Sequence, residues 1–247
     1  MRIKGEKVDI DYEKTKEFFE SRGDKYNEAH PYVTTMYQDS NPHLTDARNQ
    51  EEVSRILPLL NLDADSRILD MGCGIGRWAD AVGDDILSYL GVDFSRSLIE
   101  IARTRNTRRQ FSFEQMSVCD FEEYYRNRKL TPFNRMIIAG VLMYLNDRDA
   151  EHIFHILSEI LTDNAIVYIR EPVGVSGRLT LKDFYSQELS HDYHTIYRSA
   201  DEYRDMIQTY APDMDVEQEG FLFGNLLLNN RKETSQYYFI MRKESLR

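Results

Sequence analysis

At 247 residues, 41% hydrophobic and 30% charged, the chain is long enough for one α/β core with a small helical cap and has a globular composition. A net charge of −11 argues against a nucleic-acid partner, and no apolar run approaches the ~20 residues of a membrane span. An apolar leader is also lacking, and two cysteines (Cys73, Cys119) are too few for a disulfide scaffold, so the expected location is the cytoplasm.

Residues 1–60 read as a helical cap. Tyr12, Phe18, Phe19, Tyr26, Tyr32 and Tyr37 supply aromatic surface, Pro31 and Pro42 break the segment, and a helix over 46–60 places Val53, Ile56, Leu57 and Leu60 on one face. Residues 61–247 form the main domain. Its first strand, around Ile68 and Leu69, runs into Gly72, Gly74 and Gly76, and a helix is expected over 75–82. A second strand, 86–92, ends at Asp93, and Ser95 can cap the helix after it. Arg103, Arg105, Arg108 and Arg109 then cluster where cations complement a helix C-terminus, as a solvated cap.

Strands follow at 111–118, 133–140 and 165–169, with a helix over 147–161 between the last two; Asp120 fits an N-cap. Residues 173–198 form a long polar and aromatic connection, and such connections usually carry function. Ser199 and Glu202 make a capping box for a helix over 200–210. An antiparallel pair, 216–223 and 236–242, closes the chain.

Three alternating glycines after a buried strand permit positive φ and close backbone approach, and the helix behind them presents free N–H groups to a ligand. An acid at the tip of the second strand, here Asp93, suits ribose hydroxyls. The spacing is G-x-G-x-G rather than the dinucleotide G-x-G-x-x-G, and Asp70 would repel a pyrophosphate while suiting ammonium and sulfonium charge. A nicotinamide oxidoreductase is therefore disfavoured.

Asp-Met-Gly-Cys-Gly-Ile-Gly at 70–76, followed by Gly-Val-Asp-Phe-Ser at 91–95, closely resembles the class I S-adenosylmethionine-dependent methyltransferases. The resemblance covers 67–171 well and the remainder by layout. It implies a Rossmann-like αβα sandwich with a seven-stranded, mostly parallel sheet whose last strand is antiparallel. It also implies S-adenosylmethionine as cofactor and S-adenosylhomocysteine as product. Cofactor contacts then fall on Asp70, Gly72, Gly74, Gly76, Asp93, Phe94 and Ser95, on Met116, Ser117 and Val118 beside adenine, and on Ala139 and Val141 after the fourth strand. Many relatives carry Asp where Ser117 stands. An N-terminal lid would add Tyr12, Phe19 and Arg22.

Methyl transfer to a hydroxyl needs a base, and His191, His194, Tyr144 and Glu171 are the candidates. Arg178 and Arg198, with Tyr193 and Tyr197, would suit an anionic acceptor bound by an insertion at 172–198. No metal site is expected, because the i, i+3 pair His152 and His155 lacks a carboxylate or Cys partner. The expected acceptor is a small molecule, an oxygen on a sugar or phosphorylated surface-glycan precursor, as in polysaccharide biosynthesis. The alternatives are N-methylation of an amino sugar or natural product, and a non-catalytic cofactor-binding protein. A homodimer is left open.

Overall fold

The structure, a computed structural model, describes residues 1–37, 39–225 and 227–244. Its first elements are the strand β1 (Arg2–Lys4) and three helices, α1 (Tyr12–Gly23), α2 (Val33–Met36) and α3 (Pro42–Ile56). Alternation of strand and helix then builds the main layer: β2 (Arg67–Met71), α4 (Arg77–Ala81), β3 (Ser88–Asp93), α5 (Arg96–Arg105), β4 (Phe111–Gln115), α6 (Phe121–Arg128), β5 (Phe133–Ala139), α7 (Asp147–Ile160) and β6 (Leu161–Gly174). After these come β7 (Leu179–Ser186), β8 (His191–Tyr197), α8 (Ala200–Tyr210), β9 (Met214–Phe221) and β10 (Thr234–Lys243).

Seven strands form one sheet in the order β4-β3-β2-β5-β6-β10-β9. The first five are parallel, and β10 runs antiparallel between β6 and β9. The central strands β2, β3, β5 and β6 are mostly buried because both faces are covered, and successive side chains go to opposite cores, whereas the edge strands β4 and β9 carry exposed polar residues. Ile68, Ile137 and Tyr168 join Ile56, Trp78 and Ile99 on one side. Leu69, Met136, Ile138 and Val167 join Phe121, Ile153 and Tyr203 on the other. Each such aliphatic side chain contributes about 1.5–3 kcal/mol on burial. This is the three-layer fold that the resemblance implies.

Several expected boundaries move for local reasons. α3 begins at Pro42, which suits a first helical position, and the last turn tightens to a 3-10 helix at Leu57–Leu60, where Pro58 has no N–H to continue the α pattern. α4 starts at Arg77, because Gly76 adopts φ 79° at its N-cap. β4 stops at Gln115, and the Ser117 hydroxyl accepts from Cys119 N to start a short 3-10 turn. Asp120 stands at the N-cap of α6, but its side chain makes no cap hydrogen bond. Ser199 and Glu202 close the capping box of α8 as expected.

The largest departure is the connection expected at 173–198. Its residues form the antiparallel hairpin β7–β8, and β1 adds to the outer edge of β7 to make a separate three-stranded sheet. Leu179, Leu181 and Tyr193 from this sheet and Leu189 from the turn of the hairpin pack with Phe18, Phe19, Met143 and Tyr144. The hairpin is thereby pinned to α1 and to the loop after β5. Of the arginines at and beyond the end of α5, Arg103 and Arg109 are exposed as expected, although Arg103 also donates to Phe113 O; Arg105 and Arg108 are half-buried, Arg105 pairing with Asp80 and Arg108 donating to Ala79 O and Val82 O.

Candidate active site

The glycine turn connects β2 to α4 at the carboxyl edge of the parallel strands, where an open α/β sheet receives ligands. Gly72, Gly74 and Gly76 all have positive φ, at 71°, 54° and 79°. A Cβ on Gly72 would lie 2.3 Å from Val141 Cγ2, and one on Gly74 2.8 Å from Thr35 Cγ2. The glycines therefore let the turn touch the cap and the loop after β5, as well as leaving backbone open to a ligand. Gly76 serves packing instead, since a Cβ there would meet Asn106, Phe113 and Ala102, and the residue lines neither cavity described below.

Two cavities flank the turn. One, of about 390 Å³, is lined by Asp93, Phe94, Met116, Ser117, Val118 and Val141, with Tyr12 and Phe19 from α1. The other, of about 330 Å³, is lined by Asp70, Arg48, Glu52, Arg77, Arg170, Tyr193 and Tyr197 among others. Thr35, Tyr37, Gly72, Gly74, Ala139, Gly140 and Tyr144 line both, so the two spaces meet at the glycine turn.

Asp93 is buried, with Oδ2 accepting from Gly74 N and Oδ1 from Ser95 N, each at 2.9 Å. Burial pushes its carboxyl up to about 6, against those two N–H donors. Asp70 is pushed up to about 7, again by burial, with the Tyr89 hydroxyl donating to Oδ2. Among the described residues no cation stands within ion-pair distance of Asp70. A buried carboxylate short of a cation, beside an open glycine turn, fits the ammonium of an amino-acid moiety.

Tyr144 and Tyr193 share a hydrogen bond between their hydroxyls of 2.5 Å. Burial holds both well above the usual phenol range, and Tyr37 and Tyr197 are raised with them. These hydroxyls stay protonated and act as hydrogen-bonding groups. Tyr12 accepts from Asn146 N at 2.8 Å and donates to Asp149, which ties α1 to the start of α7.

Other expected site residues sit elsewhere. Arg22 is buried within the cap, donating to Val33 O and Thr34 O and pairing with Asp39, because the short α2 leaves carbonyls that need donors. Ser95 accepts from Leu98 N as the cap of α5 and reaches neither cavity. Arg178 and Arg198 do not face an acceptor; both converge on Asp147, and Arg198 also donates to Leu142 O and Leu145 O. Burial alone would raise Asp147, but the two guanidiniums outweigh it and hold the carboxyl below its ordinary value.

Glu171 accepts from the N–H groups of Val141, Leu142 and Met143 at 2.8, 3.0 and 3.1 Å, so it shapes the loop instead of facing a substrate. His194 is buried and lowered by burial, with Nδ1 accepting from Asp183 N. His191 has its Nδ1 2.8 Å from Asp192 O and stacks edge-on with Phe18. Neither histidine lines either of these two cavities.

His30, His43 and Asp46 come together in the cap with potential ligand atoms within 4.8 Å of one another, away from both cavities. His30 Nδ1 and Asp46 Oδ2 are already 2.7 Å apart as a hydrogen bond. His152 pairs with Glu122 on the surface.

The residues that sequence reasoning missed are Arg48, Glu52, Arg77 and Arg170. Glu52 is fully buried in α3 and accepts from Tyr168 Oη at 2.8 Å, Arg77 Nη2 at 3.1 Å and Arg170 Nε at 3.2 Å. Burial opposes its ionisation, but the Arg170 and Arg77 charges prevail and hold its carboxyl low. No local signal marks these positions; each looks like an ordinary charged residue until the fold brings them together.

The sequence matches the methyltransferase-domain family over residues 43–210, and the chain belongs to that family. Its fold and its glycine turn place it with the class I S-adenosylmethionine-dependent methyltransferases, and S-adenosylmethionine is the cofactor of that class. No curated protein matches it in sequence. Among solved structures, it is similar to phosphoethanolamine N-methyltransferase 1 of Haemonchus contortus in complex with phosphoethanolamine and S-adenosylhomocysteine. There the TM-score is 0.71 at 18% identity, over 96% of this chain and 50% of that one. The chain thus spans half the length of that relative. The N-methyltransferase NodS of Bradyrhizobium japonicum WM9 gives a TM-score of 0.61 at 14% identity, covering 94% of this chain and 100% of that one. The [4+2]-cyclase SpnF gives 0.61 at 14%, covering 95% and 94%. At these identities the likeness is one of fold, and the fold also hosts a reaction that is not methyl transfer.

Proposed function

We propose that the chain transfers a methyl group from S-adenosylmethionine to a small-molecule acceptor, an oxygen on a sugar or phosphorylated glycan precursor. The observation that carries this reading is the pair of cavities meeting at Gly72, Gly74 and Tyr144, one with Asp93 and the other with the cationic lining. In this reading the 390 Å³ cavity takes the nucleoside, with Asp93 toward the ribose and Met116, Ser117 and Val118 toward the base. Asp70 takes the ammonium; Thr35 and Tyr37 of the 1–60 cap lie over the shared wall and Phe19 over the nucleoside cavity, where they exclude water. The cofactor supplies an activated sulfonium methyl group, so the chain's own work is alignment, which contributes up to about 7–11 kcal/mol. Tyr144 and Tyr193 orient the acceptor by hydrogen bonds.

A second reading, N-methylation of an amine, is favoured by one observation. Among the described residues lining either cavity there is no histidine, and the lining tyrosines are held protonated, so an acceptor that needs no strong base suits the site. Incubation with S-adenosylmethionine and matched sugars, sugar phosphates and amines, with S-adenosylhomocysteine measured by mass spectrometry, tests both. Turnover on amines alone removes the oxygen reading; no turnover and no S-adenosylhomocysteine binding removes the enzyme reading. His191→Ala and His194→Gln are expected to leave the pH profile of turnover unchanged. The acting unit is a monomer or a homodimer, which sedimentation velocity distinguishes.

A further inference from the structure

We infer that the corner of the second cavity built by Arg48, Arg77 and Arg170 is a binding site for a dianionic phosphate group carried by the acceptor. This rests on the reading of that cavity as the acceptor site. Among the described residues Glu52 is the only carboxylate within 4 Å of these three guanidiniums, so the cluster carries an excess of two positive charges. Arg77 and Arg170 divide Glu52 between them. Arg48 has no carboxylate within 4 Å among the described residues; its Nε and Nη2 donate to Leu228 O and Asn230 Oδ1 at 2.7 and 2.8 Å.

Arg48 is only 8% exposed, so its charge is largely withdrawn from water. Burial first, then the neighbouring charges of Arg231 and Arg170, lower it to about 10, far down for a guanidinium. Arg231, on the same wall, is already paired with Glu188. Asp70 lines the same cavity but does not offset the excess: among the described residues no guanidinium stands within 4 Å of it, and in the reading above its charge is taken by the cofactor's ammonium. A buried cationic excess of two is unfavourable when empty, and it matches a phosphate dianion, which accepts several guanidinium hydrogen bonds. Trp78 lines the same cavity, and its buried indole N–H has no hydrogen-bond partner among the described residues.

An oxyanion at this corner has two sources: the acceptor's phosphate or the cofactor's own carboxylate. The test saturates the protein with S-adenosylhomocysteine, which fills the second of these, and titrates inorganic phosphate by calorimetry at constant ionic strength, with chloride as control. The expected result is phosphate binding to the saturated wild type, about tenfold weaker in Arg48→Met and retained in Arg48→Lys, with S-adenosylhomocysteine affinity alike in all three. No phosphate binding to the saturated wild type overturns the proposal. So does loss of S-adenosylhomocysteine affinity in Arg48→Met, which assigns the corner to the cofactor. Thermal melts report whether each variant is folded. If S-adenosylhomocysteine fails to bind the wild type at all, the methyltransferase reading falls separately from the phosphate site.

Discussion

Replacing Asp93 by Ala separates its two roles. The carboxylate holds the Gly74 and Ser95 N–H groups at 2.9 Å each, in a site only 7% exposed, so truncation leaves two buried donors unpaired. At about 1–3 kcal/mol per orphaned donor, the loss is about 2–6 kcal/mol of stability. For a chain of this size that lowers the melting temperature by about 4–24 °C. The lost ribose hydrogen bonds weaken S-adenosylhomocysteine by a further 1–3 kcal/mol or so, about 5- to 150-fold in Kd. Differential scanning fluorimetry and calorimetric titration below the variant's melting temperature read the two separately. A melting temperature within a degree of wild type would refute the structural role, and an unchanged Kd would refute the ribose assignment.

Gly72→Ala needs a side chain at φ 71° and sets its Cβ 2.3 Å from Val141 Cγ2. Left-handed strain of about 1–2 kcal/mol and overpacking of about 1–3 kcal/mol should appear together in chemical denaturation; a stability equal to wild type would mean the turn relaxes freely. Asp70, at about 7, makes cofactor binding pH-dependent, because only the ionised carboxylate attracts an ammonium. Affinity for S-adenosylhomocysteine should fall about tenfold between pH 8 and pH 6, and a flat profile would contradict this. The same raised value means the native state keeps a proton that the unfolded chain releases, so this group's contribution to stability declines as pH rises from about 4 toward 7. Arg198→Met leaves Leu142 O and Leu145 O without their donor and removes one of the two arginines on Asp147; a loss of about 3–5 kcal/mol is expected in thermal melts, and less than 1 kcal/mol would show the cluster to be incidental.

The parts of the candidate site that are local in sequence are the ones legible there. Gly72, Gly74, Asp93 and Met116 to Val118 lie at strand ends, and strand periodicity alone brings strand ends to one edge of the sheet. His191 and His194 stand outside the lining of both cavities, for a reason of geometry that no local pattern carries. The His-Asp-Tyr-His run lies on β8, where alternation turns Tyr193 toward the core of α1 and the loop while His194 is closed off beside Asp183. The arginines misled for a related reason. Arg178 and Arg198 flank the hairpin, but Asp147 at the start of α7 collects both, whereas Arg48 and Arg170, each in a segment that reads as ordinary helix or strand, are brought to the cavity only when α3 folds across β6.

The loop at 140–145 joins these observations into one device. Its N–H groups at Val141, Leu142 and Met143 are taken by Glu171, at the end of β6, and its carbonyls at Leu142 and Leu145 by Arg198, just beyond β8. A backbone segment satisfied by charged groups on both its donor and acceptor sides has little freedom to drift. That segment carries Tyr144, which lines both cavities, and Val141, which closes on Gly72. Glu171 and Arg198 therefore act through position: they fix the wall between the two cavities, while the hairpin supplies Tyr193 to the same wall through its hydrogen bond with Tyr144. A hairpin inserted at this point of the chain can thus reshape the second cavity without disturbing the glycine turn.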